Sequence, residues 1–241
     1  MSAHLLMLRG VHTHIGAYHI LHGVDLSVPK GQLTMLLGRN GAGKTTTLRT
    51  IMGLWRASAG TIELDGQDIT ARPTPDIARL NVAYVPENMG IFADLTVREN
   101  LLLAARQARR VAQMDSARID WIFSLFPAMK TFWNHPAGKL SGGQKQMLAV
   151  SRAIIEPRNL LIVDEPSKGL APAIIDNMIE AFRQLKAQGV TLLLVEQNLN
   201  FARQLGDEVA VMDDGRVVHS GRMADLAADA DLQQSLLGLS L

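Results

Sequence analysis

The sequence feature that most constrains the fold is a glycine-rich segment between a predicted strand and a predicted helix. Residues 38–45 read Gly-Arg-Asn-Gly-Ala-Gly-Lys-Thr and fit the pattern G-x-x-x-x-G-K-[ST]. Residues 33–37 are apolar except for Thr34, a pattern that is typical of a strand covered on both faces. A helix is predicted over about 44–52. Because glycines let the backbone curl and a helix start attracts negative charge, this order of elements predicts an anion-binding loop.

The predicted ligand of this loop is a nucleoside triphosphate together with Mg²⁺. Lys44 would reach the β- and γ-phosphates, and the Thr45 hydroxyl would hold the metal. A glycine-rich turn that only caps a helix is the alternative, but a chance match in a chain of this length is on the order of 1%. The predicted nucleotide-binding residues of the loop are Gly38, Arg39, Asn40, Gly41, Ala42, Gly43, Lys44, Thr45 and Thr46.

Strand and helix patterns alternate along most of the chain, which predicts an α/β fold with a mainly parallel sheet. A helix is expected over Pro172–Ala187, and the segment 213–215 should turn a hairpin. The segment 96–155 breaks the alternation, because one helical pattern follows another there, and it predicts an inserted helical subdomain. Strands are predicted at 24–28, 33–37, 61–64, 82–85, 160–163, 191–195 and 208–212.

Composition narrows the classes of function. The 241 residues carry a formal net charge of +1, which gives no support to a nucleic-acid partner. There is no cysteine, so disulfides, thiolate metal sites and a cysteine nucleophile are excluded. The first nine residues lack the pattern of a signal peptide, and the apolar runs are too short to span a membrane. A role at a membrane therefore has to act through a partner.

An acidic pair follows the apolar run 160–163. In a parallel sheet the carboxyl ends of the strands face the ligand crevice, so Asp164 and Glu165 should face the phosphates. Asp164 would hold Mg²⁺, and Glu165 would polarise the attacking water. Two acids after a strand also occur in ordinary loops, and it is the phosphate loop in the same chain that favours the catalytic interpretation.

The pentapeptide Leu-Ser-Gly-Gly-Gln at 140–144 resembles the signature motif of ABC ATPases. Ser141 and Gln144 also fit a helix capping box, but such a box does not require two glycines. The resemblance covers essentially the whole chain. It implies a dimer in which this motif contacts the γ-phosphate bound to the other protomer. The residues it assigns to nucleotide binding are Ser141, Gly142, Gly143 and Gln144.

Within that family, the chain looks like the ATPases of branched-chain amino acid importers. The resemblance rests on the stretches Val-Pro-Glu at 85–87, Asp-Glu-Pro-Ser at 164–167, Gly-Leu-Ala-Pro at 169–172 and Leu-Val-Glu-Gln-Asn at 194–198. It implies that Glu87 is a metal ligand where most members have glutamine. Gln197 stands where most have a catalytic histidine, and Ile15 replaces the expected adenine-stacking aromatic. Lys168 is interpreted as a solvated side chain.

The resemblance also implies an architecture, partners and a location. It predicts one P-loop NTPase domain of ABC type over 1–241, with an N-terminal antiparallel β part. Its α/β core would comprise 1–90 and 156–241, and its helical subdomain 91–155. The cofactors are ATP and Mg²⁺. The expected partners are a second ABC ATPase subunit, two integral-membrane permease subunits and a solute-binding protein, at the cytoplasmic face of the inner membrane.

The partner ATPase is expected to be a different chain, although a homodimer stays open. Importers of urea or short amides are similar, and an ATPase of a lipid or lipopolysaccharide exporter is a further alternative.

The glutamine at position 197 leads to a first prediction. Glutamine can donate a hydrogen bond to phosphate but cannot become cationic near neutral pH, as histidine can. Gln197→His is therefore expected to raise ATP turnover per site, measured as phosphate release by the purified protein. An unchanged or lower turnover would contradict this interpretation of Gln197.

Overall fold

The computed structural model describes residues 3–106 and 108–238. Residues 1, 2, 107 and 239–241, which the predicted domain span includes, lie outside this description. The strands are β1 (His4–Ile15), β2 (Tyr18–Pro29), β3 (Leu33–Gly38), β4 (Ala57–Leu64), β5 (Gln67–Asp68), β6 (Val82–Val85), β7 (Leu160–Asp164), β8 (Thr191–Glu196), β9 (Glu208–Asp213) and β10 (Arg216–Arg222).

The helices alternate with the strands in the first and last parts of the chain and cluster between β6 and β7. They are α1 (Lys44–Ile51), α2 (Thr74–Arg79), α3 (Val97–Ala104), α4 (Ser116–Leu125), α5 (Pro127–Thr131), α6 (Gly142–Ile154), α7 (Pro172–Ala187), α8 (Leu199–Leu205), α9 (Met223–Ala228) and α10 (Ala230–Leu237), with short 3₁₀ turns at Val111–Gln113 and Ala137–Lys139.

The central layer is a six-stranded sheet in the order β10-β9-β3-β8-β7-β6. Only the β10–β9 pair is antiparallel, so the expectation of a mainly parallel sheet is confirmed. Every residue of β3, β7 and β8 is buried, as expected for mainly apolar strands that are covered on both faces. The parallel pairing sets the ends of β3, β8 and β7 side by side.

The second sheet is antiparallel and has the order β2-β1-β4-β5, which confirms the predicted N-terminal β part. Along the end of β2, Val24, Leu26 and Val28 are buried, while Asp25 and Ser27 between them are exposed. The inward face of this sheet shares one core with α1 and one face of the central sheet. The phosphate loop therefore sits at the junction of the two sheets.

The helical expectation for 96–155 is also confirmed. Among the described residues of this segment the only β pairing is an isolated bridge between Thr96 and Pro136. A complete capping box starts α3 at Thr96 and Glu99, and a second one starts α6. Within the described part of the chain, every helix is too short or too polar to cross a bilayer.

The contact between α7 and α8 gives a test of the core beside β8. Phe182 and Phe201 are less than 2% exposed, and their rings meet edge to face at 6.3 Å between centroids. Phe182→Ala is expected to lower the free energy of unfolding by about 3–5 kcal/mol, because it leaves a cavity. Urea unfolding measures the change. The control Phe92→Ala alters a ring that is 50% exposed and should cost under about 1 kcal/mol. Equal losses in the two variants would contradict the packing.

Candidate active site

The loop between β3 and α1 has backbone geometry that only glycine allows. Gly38 has a φ of +149°, and a Cβ there would lie 2.3 Å from the carbonyl oxygen of Met212. Gly43 has a φ of +98° and caps α1. No described side chain accepts a hydrogen bond from the backbone N–H groups of the first turn. The start of α1 is consequently open to an external anion.

Lys44 is held inside this loop. It is 5% exposed, and its Nζ donates hydrogen bonds to the carbonyl oxygens of Gly38 at 2.8 Å and Arg39 at 2.9 Å. Burial lowers the pKa of Lys44, and the negative charges of Glu165 and Asp164 partly oppose this shift. The ammonium is therefore fixed in direction, and its carbonyl contacts can be exchanged for phosphate oxygens.

A cleft of about 320 Å³ lies over the loop. It brings together residues of the predicted phosphate loop and two of the predicted carboxylates, Glu87 and Glu165. Its lining residues are Ile20, Asn40, Gly41, Gly43, Lys44, Thr45, Thr46, Glu87, Glu165 and Lys168.

Asp164 ends β7 beneath this cleft. Its side chain is buried, with 1% of the residue exposed, and neither carboxylate oxygen accepts a hydrogen bond from the described part of the chain. Burial raises the pKa of Asp164; the Thr45 hydroxyl opposes the shift, and the charges of Glu165 and Glu87 add to it. A buried carboxylate without a donor is costly, and a divalent cation would compensate it. The donor set of Thr45, Asp164 and Glu87 fits Mg²⁺, a cation that prefers oxygen ligands.

Glu165 follows in a left-handed conformation, with a φ of +49°. Its backbone N–H donates to the carbonyl of Val195 at 2.9 Å, which ties the turn to the neighbouring strand. The side chain is 10% exposed and accepts a hydrogen bond from Nε2 of Gln197. That same Nε2 also lies 2.8 Å from Oδ1 of Asn40. Three predicted site residues, Asn40, Glu165 and Gln197, therefore meet at one point.

Lys168 was interpreted from the sequence as a solvated side chain, and this interpretation is incomplete. The side chain is 57% exposed, yet its Nζ lies 2.5 Å from Oε1 of Glu87 and 3.3 Å from Oε2 of Glu165. The only sequence signal was its position three residues after Glu165, because the pairing with Glu87 joins residues 81 positions apart.

Glu196 is a second residue that sequence reasoning missed. It is 2% exposed, and its carboxylate accepts hydrogen bonds from the backbone N–H groups of Ser167 at 2.8 Å, Gln197 at 3.1 Å and Asn198 at 3.3 Å. Burial raises the pKa of Glu196, and these hydrogen bonds oppose the shift. The carboxylate joins the loop after β7 to the loop after β8, so it positions the neighbours of Glu165 and Gln197. A charged residue at the end of an apolar strand was the available signal.

The pentapeptide at 140–144 lies elsewhere on the surface. Ser141 accepts a hydrogen bond from the backbone N–H of Gln144 at 3.3 Å, and the Gln144 side chain accepts one from the backbone of Ser141 at 2.9 Å. Gly143 packs so closely that a Cβ would lie 2.8 Å from Cγ2 of Ile174. None of Ser141, Gly142, Gly143 and Gln144 is among the described residues that line the phosphate cleft of the same chain.

The position expected to hold an adenine-stacking aromatic is occupied by the partly buried Ile15 at the end of β1. Tyr18 nearby is 76% exposed. His14 stacks on His19 with ring centroids 4.2 Å apart, and His19 in turn lies 4.1 Å from His22. These imidazoles contact one another, and among the described residues no group of histidines and acids is arranged to hold a metal ion.

The sequence matches a known protein family. The profile described as ABC transporter matches residues 21–168. The high-affinity branched-chain amino acid transport ATP-binding protein BraG of Pseudomonas aeruginosa is 38% identical, over 97% of this chain and 100% of the relative. The probable branched-chain amino acid transport ATP-binding protein LivF of Archaeoglobus fulgidus is 35% identical, over 97% and 99%. The Nod factor export ATP-binding protein I of Burkholderia orbicola is 36% identical, over 92% and 72%.

Solved structures share the fold. The ADP conformation of an ATP-binding cassette of an ABC transporter superposes with a TM-score of 0.82 over 99% of this chain and 100% of that one. At 24% identity this likeness concerns the fold alone. A structure described as the ATP binding subunit of an ABC transporter is 29% identical and has a TM-score of 0.80, over 98% and 95%.

Replacing the buried carboxylate of Asp164 is expected to stabilise the fold at the expense of function. Its folded-state pKa lies above the unfolded one, so the parent protein loses stability as pH rises from the unfolded pKa, about 4, through the folded value. Asp164→Asn removes this loss. Without Mg²⁺ or nucleotide, the variant is expected to be more stable near neutral pH by on the order of 1 kcal/mol.

Urea unfolding in EDTA at several pH values measures this difference, which should vanish near pH 4, the unfolded pKa. The control Asp120→Asn alters an exposed carboxylate on α4 and should change stability by less than about 0.5 kcal/mol at any pH. A loss of stability in Asp164→Asn near neutral pH would contradict this prediction, because it would show that other groups of the folded chain already compensate the buried carboxylate.

Proposed function

The chain belongs to the ABC transporter family, and we propose that it binds and hydrolyses ATP to drive an importer of branched-chain amino acids. The observation that carries the proposal is one cleft lined by a buried lysine and a hydrogen-bonded glutamate, with the buried Asp164 directly before that glutamate at the end of β7. The cargo class is supported by the relatives named for branched-chain amino acid transport, which this chain matches from end to end.

The phosphate loop would bind the triphosphate. The backbone N–H groups of the loop and the start of α1 supply partial positive charge, and Lys44 supplies a full one. Thr45, Asp164 and Glu87 would hold Mg²⁺, which when bound neutralises charge on the β- and γ-phosphates. The unpaired oxygens of Asp164 support this role.

Glu165 would orient and polarise the attacking water. Its carboxylate lines the cleft, and Gln197 holds one of its oxygens by a hydrogen bond. Gln197 also contacts Asn40, so the water-positioning group and the phosphate loop are connected through one amide. Glu196 fixes the backbone on both sides of this arrangement.

A second ATPase chain would complete each site. The signature motif is exposed and stands apart from the cleft of its own chain, so its helix start is free to contact a γ-phosphate bound to another protomer. ATP then links two surfaces, and hydrolysis removes the link. A heterodimer is favoured by the resemblance to such importers, and the surface described here is also compatible with a homodimer.

The membrane subunits would dock in a groove of about 830 Å³. Trp55, Tyr84, Pro86 and Met89 give it an apolar lining, and Arg152 is among the cations around it. This surface suits an amphipathic segment of a permease subunit. The system would also contain a solute-binding protein, and the chain would lie at the cytoplasmic face of the inner membrane, peripheral to its permease subunits.

Consecutive residues of one segment line the groove and the phosphate cleft. Pro86 and Asn88 line the groove, while Glu87 between them lines the phosphate cleft. Tyr84 lines the groove as well; burial raises the pKa of its hydroxyl to about 12, and the nearby charge of Asp164 adds to the shift. A partner that moves the segment 84–88 would therefore move groups beside the proposed metal ligands.

Two other cargo classes compete with this proposal. Importers of urea or short amides share the resemblance on which the prediction rests. An exporter of a lipid-linked or lipopolysaccharide cargo gains some support from the Nod factor export relative at 36% identity. A solute-binding protein encoded beside this chain would favour import, and titrating that protein with amino acids, urea and amides would identify the cargo.

Two substitutions test the proposed roles in ATP binding and hydrolysis. Lys44→Ala is expected to weaken ATP binding at least about tenfold, because a charge-assisted contact is lost. Glu165→Gln should leave ATP affinity within a few-fold and lower turnover by on the order of 10²–10³, since the amide cannot act as a base. Fluorescent-nucleotide binding and phosphate release measure the two effects.

The matched control for Lys44 is Lys130→Ala, which removes an exposed lysine from α5. It is expected to leave both measurements at the parent value. If Lys44→Ala and Lys130→Ala gave the same affinity and turnover, the assignment of the phosphate loop would be wrong. If Glu165→Gln hydrolysed ATP at the parent rate, another group would have to orient the water.

A further inference from the structure

Lys168 has an arrangement that the proposed catalytic cycle does not explain. It lies three residues beyond Glu165, and its backbone N–H donates to the Glu165 carbonyl at 3.2 Å. The side chain then reaches over the cleft, so that one ammonium bridges Glu87 and Glu165. A single lysine therefore links the loop after β6 to the loop after β7.

The carboxylates it meets belong to a cluster of three, Glu87, Asp164 and Glu165. Glu165 is 10% exposed and Asp164 is 1% exposed, so the negative charge is concentrated at the inner end of the cleft. The charges of Glu165 and Glu87 both contribute to the raised pKa of Asp164. Hydrogen bonds to Glu87 and Glu165 raise the pKa of Lys168 above its ordinary value.

We infer that Lys168 is a resident cation of this carboxylate cluster, which offsets part of its negative charge before the metal arrives and competes with Mg²⁺ for Glu87. The inference rests on the proposed function, since it concerns the same nucleotide site. Of the proposed metal ligands, Glu87 is already paired with the ammonium, which also pairs with Glu165 beside Asp164. The pairing with Glu87 has to loosen when a divalent cation binds there, because both cations need the same carboxylate.

The consequence is a particular dependence of nucleotide binding on the metal. Without Mg²⁺, a triphosphate approaches three carboxylates, and Lys168 reduces the repulsion. With Mg²⁺, the ammonium repels the metal and occupies one of its proposed ligands, Glu87. Removing the ammonium should therefore raise the Kd of the nucleotide without Mg²⁺ and lower it with Mg²⁺. Both changes increase the ratio of the Kd without the metal to the Kd with it.

The experiment measures that ratio at equilibrium rather than turnover. The β,γ-imido analogue of ATP, which is not hydrolysed, is titrated into the full chain by calorimetry, once with Mg²⁺ and once with EDTA. Lys168→Met is expected to raise the ratio of Kd in EDTA to Kd in Mg²⁺ by about fivefold or more relative to the parent, as expected for one charge acting over several ångströms near a protein surface. Lys168→Arg keeps the charge and should stay within about twofold of the parent ratio.

Lys30 offers a matched control elsewhere on the surface. It forms an exposed ion pair with Asp65 at 3.6 Å, and neither residue lines the phosphate cleft. Lys30→Met is the same substitution as Lys168→Met, so it removes one positive charge with the same change in side-chain size. It should keep the parent ratio of the two dissociation constants. Circular dichroism of each variant checks that the exposed substitutions leave the fold intact.

The outcomes separate this inference from the proposed function. A parent protein that does not bind the analogue would overturn the function. If the parent binds it, an unchanged or lower ratio in Lys168→Met would overturn the role of Lys168 alone. A ratio in Lys168→Arg equal to that in Lys168→Met would do the same, because the positive charge would then not be the cause.

Discussion

The structure depends on three parallel strands that end side by side at one edge of the sheet. β3 lies next to β8, and β8 lies next to β7, so Gly38, Glu196 and Asp164 end neighbouring strands. Each strand is buried along its whole length, and the parallel pairing aligns Leu37 with Glu196 and Val195 with Asp164. The chemistry of the site follows from this register, because it places the lysine of one loop beside the acids of another.

The same edge concentrates buried charge, and the three charged groups there are compensated differently. Lys44 donates to two carbonyls of its own loop. Glu196 accepts from three backbone N–H groups. Asp164 receives no hydrogen bond from the described residues. The first two arrangements stabilise the loops, whereas the third costs stability that a bound cation would offset. The left-handed backbone of Glu165 adds local strain at the adjacent position.

Local patterns in the sequence predicted most elements of the fold, because their causes are local. The helix Pro172–Ala187 was predicted with its observed ends, since proline at the first position favours a helix start. β1 was not predicted, because its register shifts interrupt the alternation that marks a strand. The pairing of Lys168 with Glu87 could not be predicted either, since it depends on how two distant loops approach.

The placement of residues 140–144 is the reason why, in the proposed function, a second chain completes each nucleotide site. Ser141 and Gln144 satisfy each other's backbone groups, so the start of α6 is stable without a ligand. The cleft of the same chain offers Lys44 and the carboxylates on one side, and no signature residue reaches it among those described. A γ-phosphate bound there would keep one face exposed. Closing that face would require a surface with free donors and no acidic side chain. The start of α6 in this chain is exposed and has no acidic residue in its first turn, so a second copy or a similar subunit could supply such a surface. In the dimer proposed above, association would therefore depend on the nucleotide, and the nucleotide state would set the distance between the two proposed docking grooves.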